Sequence, residues 1–238
     1  MPSLGVNIDH VATLRQARGG NDPHFLKAAL ICEMAGCDSI VAHLREDRRH
    51  VNDKDVALLK KAISGRFNLE MSINKEIVCI AKKIRPDQAT LVPEKRQELT
   101  TEGGMSLSRN KNKVRRVVSE LKDKGIDVSI FIDPDIDEIY IAKDIGASTI
   151  EIHTGKYSLA KGKKAIEREH NKIKKSVKYG LSLGLVVNAG HGLDYNNVSK
   201  VVNIKGVNEL NIGHSIISRA VFAGLYRAVK DMKTLVDG

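Results

Sequence analysis

Reactive side chains in this chain gather directly behind short apolar runs. The densest group is His43-Leu-Arg-Glu-Asp-Arg-Arg-His50, which follows the run Ser39-Ile-Val-Ala and carries two histidines, three arginines, a glutamate and an aspartate. Alternation along an extended segment places His43 and Arg45 on the same face. A charge run of this kind taken alone usually faces water, so chemistry has to be argued from recurrence. The pattern does recur. Asn7, Asp9 and His10 close the run 4–9, Glu70 lies near the end of 67–71, and Asp133 ends 127–133. Glu151 and His153 share a face of 148–153, Asn188 and His191 follow the run from 185, and Asn211 and His214 follow the run from 208. Each is as readily a satisfied structural group as a catalytic one. Asp133, standing before Pro134, also suits the cap of the next helix.

Two chemistries are implied. Imidazole and carboxyl groups, here His43, Glu70 and His191, move protons near neutral pH. Phosphate binding is the other. Asn211-Ile-Gly-His214 opens a helix whose free N–H groups favour an anion, and the Gly-His-Gly192 turn after the preceding strand supplies the other half of such a cradle. Glycines there serve equally well as turn residues. Arg45 and His50, helped by Thr100 from a long connection, suit a second phosphate because guanidinium donors match its oxygens. Arg48 and Arg49 read as solvated neighbours. The same donors could hold a metal, but no His-x-His or His-Glu-x-x-His pair occurs, and no metal or cofactor is expected.

The elements that position these groups repeat. Residues 4–9 read as a strand, followed by a polar turn with Arg15, Arg18, Gly19 and Gly20. Asp22-Pro23 then offers an N-cap and first-turn proline for a helix carrying Phe25, Leu26, Ala29, Leu30 and Met34 and stopping at Gly36. Further strands are expected at 39–44, 67–71, 88–92, 127–133, 148–153, 185–188 and 208–212, each followed by a helical pattern, the last running from Gly213 through Val229. The connection 93–104 exceeds the about 2 to 6 residues usual between strand and helix, which marks it as functional. The Lys-rich stretch 156–164 reads as a mobile, solvated segment.

Eight strand-then-helix units in 238 residues point to a single α/β domain spanning 1–238, a (β/α)8 TIM barrel with extra helices. An open doubly wound sheet would carry a Gly-rich fingerprint after its first strand, where Asn7-Ile-Asp-His10 stands instead. In a barrel the C-terminal strand ends converge on one mouth, so all these groups become neighbours.

Composition limits the alternatives. At 42% hydrophobic residues the chain can bury a large core, and it lacks the run of roughly 18 apolar residues that a membrane span needs. The N-terminus enters a strand with no basic and apolar leader, so an unprocessed cytoplasmic protein is expected. Cys32, Cys37 and Cys79 have no CxxC spacing and fit a reducing compartment. A formal charge of +10 favours anionic partners, yet four Phe, five Tyr and no Trp offer little for stacking bases. Phosphorylated small molecules fit at least as well as nucleic acid.

Several motifs taken together resemble a known family. They are Gly5-Val-Asn-Ile-Asp-His10 with Ala12-Thr-Leu-Arg15, His43 to His50, Asn68-Leu-Glu-Met71, Leu91-Val-Pro-Glu-Lys-Arg-Gln-Glu98 with Thr100-Thr-Glu-Gly-Gly104, Glu151-Ile-His-Thr-Gly155, Asn188-Ala-Gly-His-Gly192 and Glu209-Leu-Asn-Ile-Gly-His214. In order and along nearly the whole chain, they resemble the pyridoxine 5'-phosphate synthase family. The resemblance implies a cytoplasmic homo-oligomer, an octamer in the family pattern, acting in vitamin B6 biosynthesis as a transferase-class, ring-closing condensation enzyme. Its two phosphorylated substrates would be 1-deoxy-D-xylulose 5-phosphate and 3-amino-2-oxopropyl phosphate. By motif match His43 and Glu70 would accept protons, His191 would donate one, and Glu151 would stabilise charged intermediates. Asn7, Arg18, Gly192, Gly213 and His214 would hold the amino ketone phosphate. Asp9, His10, Arg45, His50 and Thr100 would hold the deoxyxylulose phosphate.

Overall fold

The computed structural model describes residues 1–94 and 103–238. In chain order the elements are β1 Ser3–Asn7, α1 Asp9–Arg18, α2 Phe25–Met34, β2 Ser39–Leu44, α3 Asp53–Ala62, β3 Arg66–Met71, α4 Lys75–Ile84 and β4 Gln88–Leu91. Then come α5 Leu107–Lys122, β5 Asp127–Ile132, α6 Ile136–Asp144, β6 Thr149–His153, α7 Gly155–Ser158, α8 Lys163–Ser182, β7 Val186–Gly190, α9 Val198–Val202, β8 Glu209–Ile212, α10 His214–Ala223 and α11 Leu225–Asp237. The strands pair in parallel in sequence order, and β8 returns to β1, closing the expected barrel.

Period-2 alternation decides which side chains enter the barrel. Leu4, Val6, Ile40, Leu44, Phe67, Leu69, Ile130, Ile132, Ile150, Ile152 and Leu210 belong to the apolar core that the helices cover. The alternate positions are polar and also buried: Asn68, Thr90, Ser129, Thr149, Glu151, Asn188 and Glu209. Barrel interiors are usually filled by branched apolar side chains. This one is cross-linked by hydrogen bonds instead, with Thr90 Oγ1 donating to Asn68 Oδ1 at 2.8 Å and Ser39 Oγ to Glu209 Oε2 at 2.9 Å. Register then aligns the mouth-side groups, setting His43 opposite Glu70 and Glu151 opposite Asn188.

Four local expectations are corrected. The polar turn after the first strand is the helix α1, capped by Gly19 in the left-handed region (φ 69°). Its polar composition hides a buried face to which Arg15 belongs. The N-cap of α2 is His24, whose Nδ1 accepts from the Lys27 amide, rather than Asp22. The single C-terminal helix is two, α10 and α11, divided at Gly224. The lysine-rich stretch 156–164 is largely structured, with α7 in its first half and the start of α8 at its end.

Candidate functional site

At the mouth, the first cluster is built on β1, β2 and β3. Asn7 ends β1 and its side-chain amide donates to Asp9 Oδ2 at 3.0 Å and to Glu70 Oε2 at 3.3 Å. The chain folds back on itself here, because the Asp9 amide donates to Asn7 Oδ1 while Asp9 Oδ1 accepts from the His43 amide at 2.8 Å. One ligand-capable atom from each of Asp9, His43 and Glu70 lies within 4.8 Å of the others. The Asn7 amide bonds both carboxyl groups of this set.

Charge is costly here. Part of Glu70 faces the mouth, yet its carboxyl is held well above the ordinary carboxylate range, first by burial and then by the negative charges of Asp9 and Glu151. Glu151, on β6, is pushed up to about 7 by burial, against the hydrogen bond from Asn211 Nδ2 at 2.7 Å. Two carboxyl groups whose proton affinity is raised in this way can exchange protons with a reacting centre.

Gly190 lets these groups approach. A Cβ there would lie 2.3 Å from Glu151 Oε1 and 2.9 Å from the Asn211 carbonyl. Gly190→Ala is therefore expected to push Glu151 from its place and to destabilise the fold by about 1–3 kcal/mol, the usual range for overpacking. Calorimetry and turnover of the variant measure both effects; a wild-type midpoint with wild-type activity would refute the steric reading.

The second cluster surrounds Arg45 and His50. The His43 and His50 rings lie 6.2 Å apart, and burial holds the His50 imidazole below its ordinary pKa. Glu94, just after β4, faces both His43 Nε2 at 3.7 Å and Arg45 Nη2 at 3.6 Å, and accepts from the Glu46 amide at 2.8 Å. The sequence offered no signal for Glu94 beyond its place in the long connection. Thr100 lies outside the described residues, within the span 95–102. Arg48 and Arg49 form ion pairs, Arg48 with Asp53 and Glu76 and Arg49 with Asp47.

The third cluster lies at the ends of β7 and β8. Gly192, Gly213 and His214 line a cavity of about 310 Å³ with Ser215 and Ser218, at the N-terminus of α10. Asp194, also on its wall, is turned to the backbone amides of Asn196 and Asn197. His10 meets His214 edge to face at 5.1 Å. His191 sits nearby in the left-handed region (φ 76°), and burial lowers its pKa to about 4.

Most of the residues singled out from the sequence thus meet at one mouth. Arg18 is exposed at the last position of α1, a helix that begins at the mouth with Asp9. Asp133 is not a helix cap. Asp135 caps α6 by accepting from the Asp137 and Glu138 amides, which leaves Asp133 to accept from His153 Nδ1 at 2.9 Å.

The model of the family described as pyridoxal phosphate biosynthesis protein PdxJ matches residues 4–238. The pyridoxine 5'-phosphate synthase of Geotalea daltonii is 55% identical over 236 residues, covering 99% of both chains. That of Syntrophotalea carbinolica is 52% identical over 238 residues, covering 100% of both. Among solved structures, KGPDC from Streptococcus mutans superposes with a TM-score of 0.66 at 16% identity, covering 100% of this chain and 98% of its own, a likeness of fold alone. Among the described residues no helix is long and apolar enough to cross a membrane.

Proposed function

The chain belongs to the PdxJ family of pyridoxal phosphate biosynthesis proteins, and from that premise we propose that it condenses 1-deoxy-D-xylulose 5-phosphate with 3-amino-2-oxopropyl phosphate to pyridoxine 5'-phosphate. One phosphate and two waters leave. The observation that carries the reading is the Asn7–Asp9–His43–Glu70 cluster, in which burial and the charges of Asp9 and Glu151 raise the proton affinity of Glu70.

In this reading the substrate amine attacks the sugar ketone and water leaves as the imine forms. Glu70 and His43 take carbon-bound protons, and expulsion of the sugar phosphate leaves an unsaturated chain. Water addition, ring closure and the loss of two further waters then complete the aromatic ring, with His191 returning a proton to departing oxygen. Glu151, poised near neutral pH, balances charge on the intermediates. Asp9, His10, Arg45, His50 and Thr100 hold the deoxyxylulose phosphate, and Asn7, Arg18, Gly192, Gly213 and His214 the amino ketone phosphate. No cofactor takes part, and the enzyme works in the cytoplasm as a homo-oligomer.

The test is incubation with both phosphorylated substrates and with each alone. Pyridoxine 5'-phosphate and inorganic phosphate in equal amounts, and only with both present, are expected. Turnover of a single sugar phosphate would replace this reading with an isomerase or aldolase. Because the substrate supplies the amine, borohydride during turnover should leave every lysine unmodified.

A further inference from the structure

His153 and Asp133 make a hydrogen-bonded pair beside His191 that the reaction above does not use. His153 ends β6 and is only 4% exposed. Its Nδ1 lies 2.9 Å from Asp133 Oδ1. Asp133 also accepts from the Gly104 amide and from Lys156 Nζ, each at 3.2 Å, and these donors hold its carboxylate below the usual range. An ionised carboxylate accepts and cannot donate, so the Nδ1 proton stays on His153. Its Nε2 is buried with no hydrogen-bond partner among the described residues.

Three features join this pair to His191. The two imidazole rings meet edge to face with centroids 4.9 Å apart, and Phe131 flanks both at 5.1 and 6.2 Å. Gly155 brings the ring edges together: a Cβ there would lie 2.4 Å from His153 Nε2 and 3.3 Å from His191 Cδ2. The backbone at His191 is pinned from the β6 side, because Thr154 Oγ1 donates to the carbonyls of His191 and Gly190 at 2.6 and 2.7 Å.

We infer that Asp133 and His153 are positioning residues for His191, a carboxylate–imidazole pair that fixes the orientation of its ring and the placement of its proton. This rests on the reading of His191 as the proton donor. The pair parallels the use of a carboxylate to hold a catalytic histidine in one tautomer, with a second imidazole interposed. Among the described residues Asp133 bonds His153, Lys156 on α7 bonds Asp133 in turn, and Glu151 stands two positions before His153 on the same face of β6. A charge on His153 would disfavour one on His191, in line with the low pKa of the latter.

The test uses the full-length protein and the variants His153→Asn and Asp133→Asn. Asparagine at 153 keeps a donor near the Nδ1 position, so the bond to Asp133 and the fold survive while the ring facing His191 is lost. His153→Asn is expected to lower kcat at least about tenfold, part of the factor general acid catalysis supplies, with both KM values little changed. In histidine-labelled protein, the NMR titration midpoint of His191, identified by its absence from His191→Asn, should move up. Asp133→Asn should alter the kcat pH profile with less loss of rate. Wild-type kcat together with an unmoved His191 midpoint in His153→Asn would overturn the inference. Were the wild-type protein inactive with both substrates, the function reading would fail, while the NMR titration would still decide whether the two rings are coupled.

Discussion

Replacing Glu70 by glutamine is expected to cut turnover by about 10²- to 10⁴-fold, the contribution of a positioned acid or base, and to stabilise the fold above neutral pH. The two effects have one cause. Glu70 is buried beside Asp9 and Glu151, which raises its pKa well above the ordinary value, and Glu151 is pushed up to about 7 from 4.5. A carboxyl that binds its proton more tightly folded than unfolded contributes stability that is fully present below the unfolded pKa and is lost as pH rises through the folded one. For Glu151 the loss between pH 4.5 and 7 is on the order of 3 kcal/mol. That is several degrees of thermal midpoint in a chain of this length. Glutamine keeps the shape and an oxygen for Asn211 or Asn7 and has no charge to bury. Melting from pH 5 to 8 should show the wild-type midpoint falling relative to Glu70→Gln and Glu151→Gln, both poorly active. Parallel curves for all three proteins would remove the claim that these carboxyls are forced to stay protonated.

This conflict between stability and chemistry also explains what the sequence made legible. Strand ends bearing His, Asp, Glu and Asn stood out because stability alone gives no reason to concentrate titratable groups there, and the barrel supplied the common location. Period-2 alternation was readable too: His43, Glu70 and Glu151 all occupy inward positions. What could not be read were partnerships across the fold. Asp133 looked like a cap because Pro134 follows it, and only the structure shows Asp135 taking that role while Asp133 bonds His153. Glu94 has no pattern of its own, and its meeting with His43 and Arg45 depends on the path of the chain after β4. The polar lining of the barrel, Asn68 to Thr90 and Ser39 to Glu209, sat inside strands that read simply as apolar. The helix α1 was hidden for the same reason, since one residue of its buried face is an arginine whose partner lies forty positions away.

That arginine carries the other large expected effect. Arg15→Met should lower stability by about 3–5 kcal/mol, the cost of removing one partner of a buried ion pair, or roughly 10 °C of thermal midpoint. Both terminal guanidinium nitrogens are engaged: Nη1 bonds Asp55 Oδ1 at 2.7 Å, and Nη2 bonds Asp55 Oδ2 at 2.8 Å and the His50 carbonyl at 2.9 Å. Asp55 in turn closes the capping box of α3, accepting from the Asn52 amide while Asn52 accepts from its own. Arg15 thereby ties α1, the start of α3 and the segment bearing His50 into one unit. Lysine should not restore it, because a single ammonium cannot make the forked pair and reach the carbonyl together. Adding Asp55→Asn to Arg15→Met removes the stranded charge, so the double variant should be more stable than the sum of the single losses predicts. Additive losses would show the pair to be uncoupled. In the two-substrate assay, loosening His50 should raise KM for the deoxyxylulose phosphate more than that for the amino ketone phosphate, most of whose proposed ligands lie at α10 and the turn after β7. Equal rises in both KM values would mean that Arg15 supports the barrel as a whole and has no particular hold on the His50 side of the mouth.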